Sequence, residues 1–114
     1  ACTVTIDGEP ALACLVPAQR VEGRHVGTLE GVAEGSVLHP LQKAFAEGFA
    51  AQCGFCTGGM IMAAKVLLDA NPDPDRETVI DAISGNICRC TGYEPIINAI
   101  LSAAAEMRQQ PKSA

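Results

Sequence analysis

The chain has no tryptophan, one tyrosine and three phenylalanines, so aromatics make up only 4% of its 114 residues. Alanine, valine, isoleucine and leucine must fill its interior, and the 48% apolar content suits close-packed helices better than a large sheet. Positive charge is scarce as well. Eight Lys and Arg face thirteen Asp and Glu, a net charge of -5, which leaves no basic surface for a nucleic-acid backbone. No apolar run reaches the roughly 18 residues needed to span a bilayer. The opening Ala1-Cys2-Thr3-Val4 lacks the charged and long apolar regions of a secretory signal, so a cytoplasmic location is expected. An initiating methionine is also missing, and the chain enters strand-like sequence at once. A trimmed or incomplete N-terminus is the expectation.

What is present falls into two parts. Thr3-Val4-Thr5-Ile6 is β-branched, Asp7-Gly8-Glu9-Pro10 follows, and Ala11 to Val16 is apolar again, which predicts two short strands around an Asp-Gly turn. Residues 17–37 carry scattered glycines and no period, and read as a linker with one short extended stretch near Val26 to Leu29. From Pro40 the pattern is helical. Leu41, Ala44 and Phe45 line one face until Gly48. Met60, Ala63, Ala64, Leu67 and Leu68 form the stripe of a second helix that Asn71-Pro72 ends. Asp75 is the expected N-cap of a third helix carrying Val79, Ile80 and Ile83, with Gly85 as its stop. A fourth helix, about Pro95 to Gln109, is expected to bury Ile96, Ile97, Ile100, Ala104 and Met107.

Between these helices lie Cys53-Gly54-Phe55-Cys56 and Cys88-Arg89-Cys90. Folding that brings the two turns together gathers four thiolates, which calls for a zinc ion or an iron–sulfur cluster. A disulfide framework is permitted by the even cysteine count, but no secretory signal accompanies it. Zinc sites with four cysteines usually repeat C-x2-C, whereas the second pair here is C-x-C. A binuclear iron cluster takes two thiolates on each iron, so one close pair from each turn suits it. Gly54, Gly58, Gly59, Gly85 and Gly92 bracket both pairs, as expected where backbone wraps closely and takes left-handed angles. His25 and His39 have no ligand spacing with the cysteines and read as structural, and the acids from Asp69 to Asp75 read as a solvated loop.

Gln52-Cys53-Gly54-Phe55-Cys56-Thr57 and Ser84-Gly85-Asn86-Ile87-Cys88-Arg89-Cys90-Thr91-Gly92-Tyr93 together resemble the small iron–sulfur subunit of the molybdenum hydroxylases. That family includes xanthine dehydrogenase, aldehyde oxidoreductases and aerobic carbon monoxide dehydrogenase. The resemblance extends to Ala1-Cys2-Thr3-Val4 and to Asp7-Gly8-Glu9-Pro10 with Cys14. It implies an α+β chain: a remnant of a plant-type ferredoxin-like β-grasp domain over residues 1–16, a linker over 17–37, and a four-helix [2Fe-2S] domain over 38–114. Cys53, Cys56, Cys88 and Cys90 would hold the helical-domain cluster. Cys2 and Cys14 match the third and fourth ligands of a second, ferredoxin-type [2Fe-2S] cluster, whose first two ligands should precede residue 1.

The same resemblance implies the function. Electrons released at a molybdenum–pterin centre on a large partner subunit would pass singly through this chain towards FAD on another. Gln52 and Cys90 match positions that approach the pterin. Arg89 reads either as a counter-charge to the cluster or as a plain surface cation, and Tyr93 as packing over the second cysteine turn. Where the family commonly has proline, this chain has Gly58, which loosens the helix start by roughly 0.4–1 kcal/mol through unfolded-state entropy. No catalytic base or nucleophile can be argued from the residues, so substrate oxidation is assigned to the molybdenum-binding partner.

Overall fold

The computed structural model describes residues 2–109. Its chain begins as a hairpin of β1 (Thr3–Ile6) and β2 (Glu9–Leu12), with Thr3 opposite Leu12 and Ile6 opposite Glu9. Asp7 and Gly8 both take positive φ (52° and 84°), as a two-residue turn matched to strand twist demands. β2 begins at Glu9 and stops at Leu12, earlier at both ends than the expected Ala11 to Val16. Pro10 is tolerated because β2 is an edge strand, and Ala13–Leu15 turns away as a 3-10 helix. β3 (Val26–Gly27) closes the other edge, antiparallel to β1, so the sheet order is β2-β1-β3.

Helix α1 (Pro40–Glu47) starts at Pro40, as its sequence predicts. His39 Nδ1 accepts from the Leu41 N–H (3.1 Å) and Gln42 Oε1 accepts from the His39 N–H (3.0 Å), a reciprocal cap. Helix α2 (Thr57–Ala70) ends at Asn71, whose extended backbone is what a residue before proline adopts. Helix α3 (Arg76–Ala82) opens on Asp75, whose Oδ1 accepts from the Thr78 N–H (2.8 Å) and hydroxyl (2.6 Å). It ends at Ala82, short of the expected stop at Gly85, because the Ser84 N–H and hydroxyl both turn back to the Asp81 carbonyl. Helix α4 (Glu94–Gln109) begins one residue ahead of Pro95.

The core lies among the four helices, with Leu41, Phe45, Met60, Val79, Ile96 and Ile100 fully enclosed. Helix α2 is its centre. Met60, Ile61, Met62, Ala63 and Ala64 are all buried, a wider face than the expected stripe, because β1 and β2 pack on one side and the helices on the other. Ile80 is 43% exposed and Met107 only half-buried, while Ala99 and Ala103 complete the α4 face. The sheet also reaches the second cysteine turn, where the Thr3 hydroxyl donates to Asn86 Oδ1 (3.4 Å).

Candidate metal centre

Cys53 and Cys56 lie in the turn leading from α1 into α2, and Cys88 and Cys90 in the turn from α3 into α4. Two glycines shape those turns: Gly54 (φ 84°) and Gly92 (φ 72°) take the left-handed angles that other residues resist. Gly58 and Gly59 sit instead inside α2, and Gly85 has ordinary backbone angles, so close wrapping does not account for them. At Gly58 a side chain would meet Leu29 Cδ2 at 3.0 Å, so the glycine gives Leu29 its seat against α2.

The thiols meet across the turns. Cys53 and Cys90 each shift the other's thiol, and so do Cys56 and Cys88, which sets the four as two neighbouring pairs. The second pair is buried and the first exposed, so the centre has an inner and an outer side. Burial, aided by the bond to Cys88, pushes the Cys56 thiol up to about 11. Burial also raises Cys88, but the Thr91 hydroxyl, the Thr91 and Cys90 N–H groups and the Cys56 thiol together outweigh it and bring Cys88 to about 7. On the outer side the Phe55 N–H, then the Cys90 thiol, lowers Cys53, and Cys90 is raised in return. Gln52, Arg89, Phe55 and Ile87 are exposed around the outer pair.

Thr91 and Tyr93 hold the second turn in shape, and sequence reasoning missed Thr91. Its Oγ1 lies 3.1 Å from Cys88 Sγ and accepts from the Tyr93 N–H at 3.1 Å. The Tyr93 hydroxyl accepts from the Cys88 N–H at 3.0 Å. Tyr93 itself has φ 71°, a conformation that costs a non-glycine residue about 1 kcal/mol or more and that these bonds maintain.

At the other end, the hairpin brings Cys2 and Cys14 to an Sγ–Sγ distance of 3.2 Å, and the Ala13 N–H donates to the Cys2 carbonyl at 3.0 Å. That separation is well beyond a disulfide bond of about 2.05 Å, and all six cysteines are free thiols. The Cys14 N–H and thiol lower Cys2, while the bond to Cys2 raises Cys14. Neither histidine joins a thiol group: His39 caps α1, and the His25 N–H donates to Asp7 Oδ1 at 2.9 Å.

Among the described residues, no three His, Cys, Asp or Glu side chains converge as ligands of a single metal ion. Two thiol pairs side by side fit a binuclear cluster, which needs two thiolates on each iron and N–H or O–H donors to its sulfurs. The donor chemistry of Cys53, Cys56, Cys88 and Cys90 fits that group, and the Cys2–Cys14 pair offers half of such a set.

A family model described as the [2Fe-2S] binding domain matches residues 28–101. The nicotine 6-hydroxylase small subunit of Paenarthrobacter nicotinovorans is 49% identical over 107 residues, which are 94% of this chain and 64% of that one. The nicotinate dehydrogenase small FeS subunit of Eubacterium barkeri is 50% identical over 100 residues, 88% of this chain and 64% of that one. The chain thus spans just under two thirds of the length of either relative. Quinoline 2-oxidoreductase from Pseudomonas putida 86 shares the fold with a TM-score of 0.89 at 47% identity, covering 94% of this chain and 67% of that one. The aldehyde oxidoreductase of Desulfovibrio gigas does so at 0.90 and 46%, with 96% of this chain matched but only 13% of that one. The four helices and small antiparallel sheet are therefore an arrangement shared with these oxidoreductases. With its domain match and these likenesses, the chain belongs to the family of small iron–sulfur subunits of the molybdenum hydroxylases.

Proposed function

We propose that this chain is the electron relay of a molybdenum hydroxylase, passing single electrons from a molybdenum–pterin centre on a large partner towards FAD on another. Cys53, Cys56, Cys88 and Cys90 are its ligands for one [2Fe-2S] cluster. Cys2 and Cys14 are two ligands of a second, belonging to a ferredoxin-like unit around residues 1–16, with 17–37 linking it to the helical unit of 38–114. A [2Fe-2S] centre supplies one-electron exchange when bound. The chain itself supplies the thiolates, N–H and O–H donors to them, and an enclosure of the inner pair from water.

One observation carries this reading: the centre is two-sided, with Cys56 and Cys88 buried and Cys53 and Cys90 exposed. A purely structural staple gains nothing from an outer edge at the surface, whereas a relay needs one. Gln52 stands at that edge, and its amide can both donate to and accept from a pterin ring. Cys90 is exposed there too, and would be the ligand sulfur facing the partner. The apolar Phe55 and Ile87, 79% and 82% exposed, flank the same edge and fit a surface that a partner covers.

Anaerobic reconstitution of the full chain with iron and sulfide tests the ligand set. About two irons and two sulfides should bind to the helical site, with the reduced protein giving a [2Fe-2S] electron paramagnetic resonance signal. Cys53→Ala and Cys88→Ala should each abolish that signal, while Cys14→Ala should leave it. A signal that survives Cys88→Ala, or stoichiometric zinc in its place, sinks the assignment.

A further inference from the structure

Thr91 is the one side chain other than a cysteine that touches a thiol of the proposed centre through a hydrogen-bond contact among the described residues: Oγ1 to Cys88 Sγ, 3.1 Å. The direction of that bond follows from chemistry. A thiolate bound to iron can only accept, so the hydroxyl must donate. The rotor is held in place from behind, because the Tyr93 N–H donates to the same oxygen and the Tyr93 hydroxyl accepts from the Cys88 N–H. Cys88, Thr91 and Tyr93 therefore form a closed loop of three hydrogen bonds, in which the Thr91 hydroxyl hydrogen is the one aimed at the sulfur by a side chain. Cys88 is 8% exposed, so little water competes with this donor.

We infer that Thr91 tunes the cluster held by Cys53, Cys56, Cys88 and Cys90, acting through Cys88 to raise its reduction potential. The inference rests on the iron–sulfur reading above. One electron enters on reduction, no covalent bond changes, and the added negative charge spreads onto the ligand sulfurs. A hydrogen bond to a sulfur stabilises the more negative, reduced state most. Thr91 thereby favours acceptance of an electron.

The test is a redox titration, followed by paramagnetic resonance, of the chain in its assembled complex. Thr91→Val should make the cluster harder to reduce by about tenfold in the ratio of reduced to oxidised centres at a fixed potential, which is about 59 mV for a one-electron couple. Thr91→Ser keeps the hydroxyl and should stay near the parent value. A fully loaded Thr91→Val protein with an unchanged potential overturns the inference, as does a Thr91→Ser protein shifted as far as the valine variant. If the valine variant holds no iron, Thr91→Ala is titrated instead. Loss of iron from both, with Thr91→Ser loaded, overturns tuning in favour of a purely structural role. Failure of the parent chain to bind iron and sulfide at all would instead strike the underlying reading.

Discussion

At His39 a ring nitrogen takes the place of the hydroxyl or carboxylate that usually caps a helix, because Nδ1 accepts from the Leu41 N–H. Only the neutral ring offers that lone pair. Burial, with a contribution from Lys65, holds the His39 pKa below 6.5, although Asp69 pulls it the other way. The sign follows. A depressed folded value means the cap's contribution is complete above pH 6.5 and is lost as pH falls through the folded value. Thermal melts of the metal-free chain should therefore weaken below pH 6.5, and His39→Asn, which keeps a capping acceptor, should flatten that dependence. Asp75 behaves likewise lower down. The Thr78 hydroxyl and N–H lower its pKa from 3.8, so Asp75→Ala should cost more stability at neutral pH than well below that range. The roles of Asp75 and His39 were legible in sequence, the first from its place before an apolar run, the second only as structural. Thr91 was not legible, since its contact with Cys88 depends on how the Tyr93 backbone is turned.

Among the elements, α1 packs most extensively on α4, and Gly48 at its end lies beside Ala99 of α4. This glycine has φ -90°, which any amino acid adopts, yet a side chain there would meet the Ala44 carbonyl at 2.9 Å. Gly48→Ala should therefore destabilise the chain, contrary to the usual gain from replacing glycine. Phe45→Ala, at 2% exposure in the same layer, should cost about 3–5 kcal/mol in denaturant unfolding. The starts of α1 and α3 and the end of α2 were written in capping and proline signals, which act within a few residues. The breadth of buried surface on α2 was not, because it depends on β1 and β2 covering a second face, and local periodicity carries no trace of a neighbour distant in sequence. Strand β2 was misplaced for a related reason: Pro10 argues against a strand until its edge position is known.

On the scale of the whole molecule, three of the most exposed apolar side chains belong to the two cysteine loops. Phe55 and Ile87 flank the outer thiols, and Phe49, 81% exposed, lies in the same loop as the first cysteine motif. Phe55→Asp should leave the iron content of the chain unchanged while reducing co-purification of the proposed molybdenum-binding partner. Equal loss of iron would show that Phe55 supports the turn instead. The absence of tryptophan has its own consequence, through the hydrogen bond from the Cys88 N–H to the Tyr93 hydroxyl. The chain's only tyrosine is its only bright ultraviolet emitter, and it stands against a proposed ligand. Its fluorescence should fall further as iron and sulfide enter, giving assembly of the centre a built-in optical reporter.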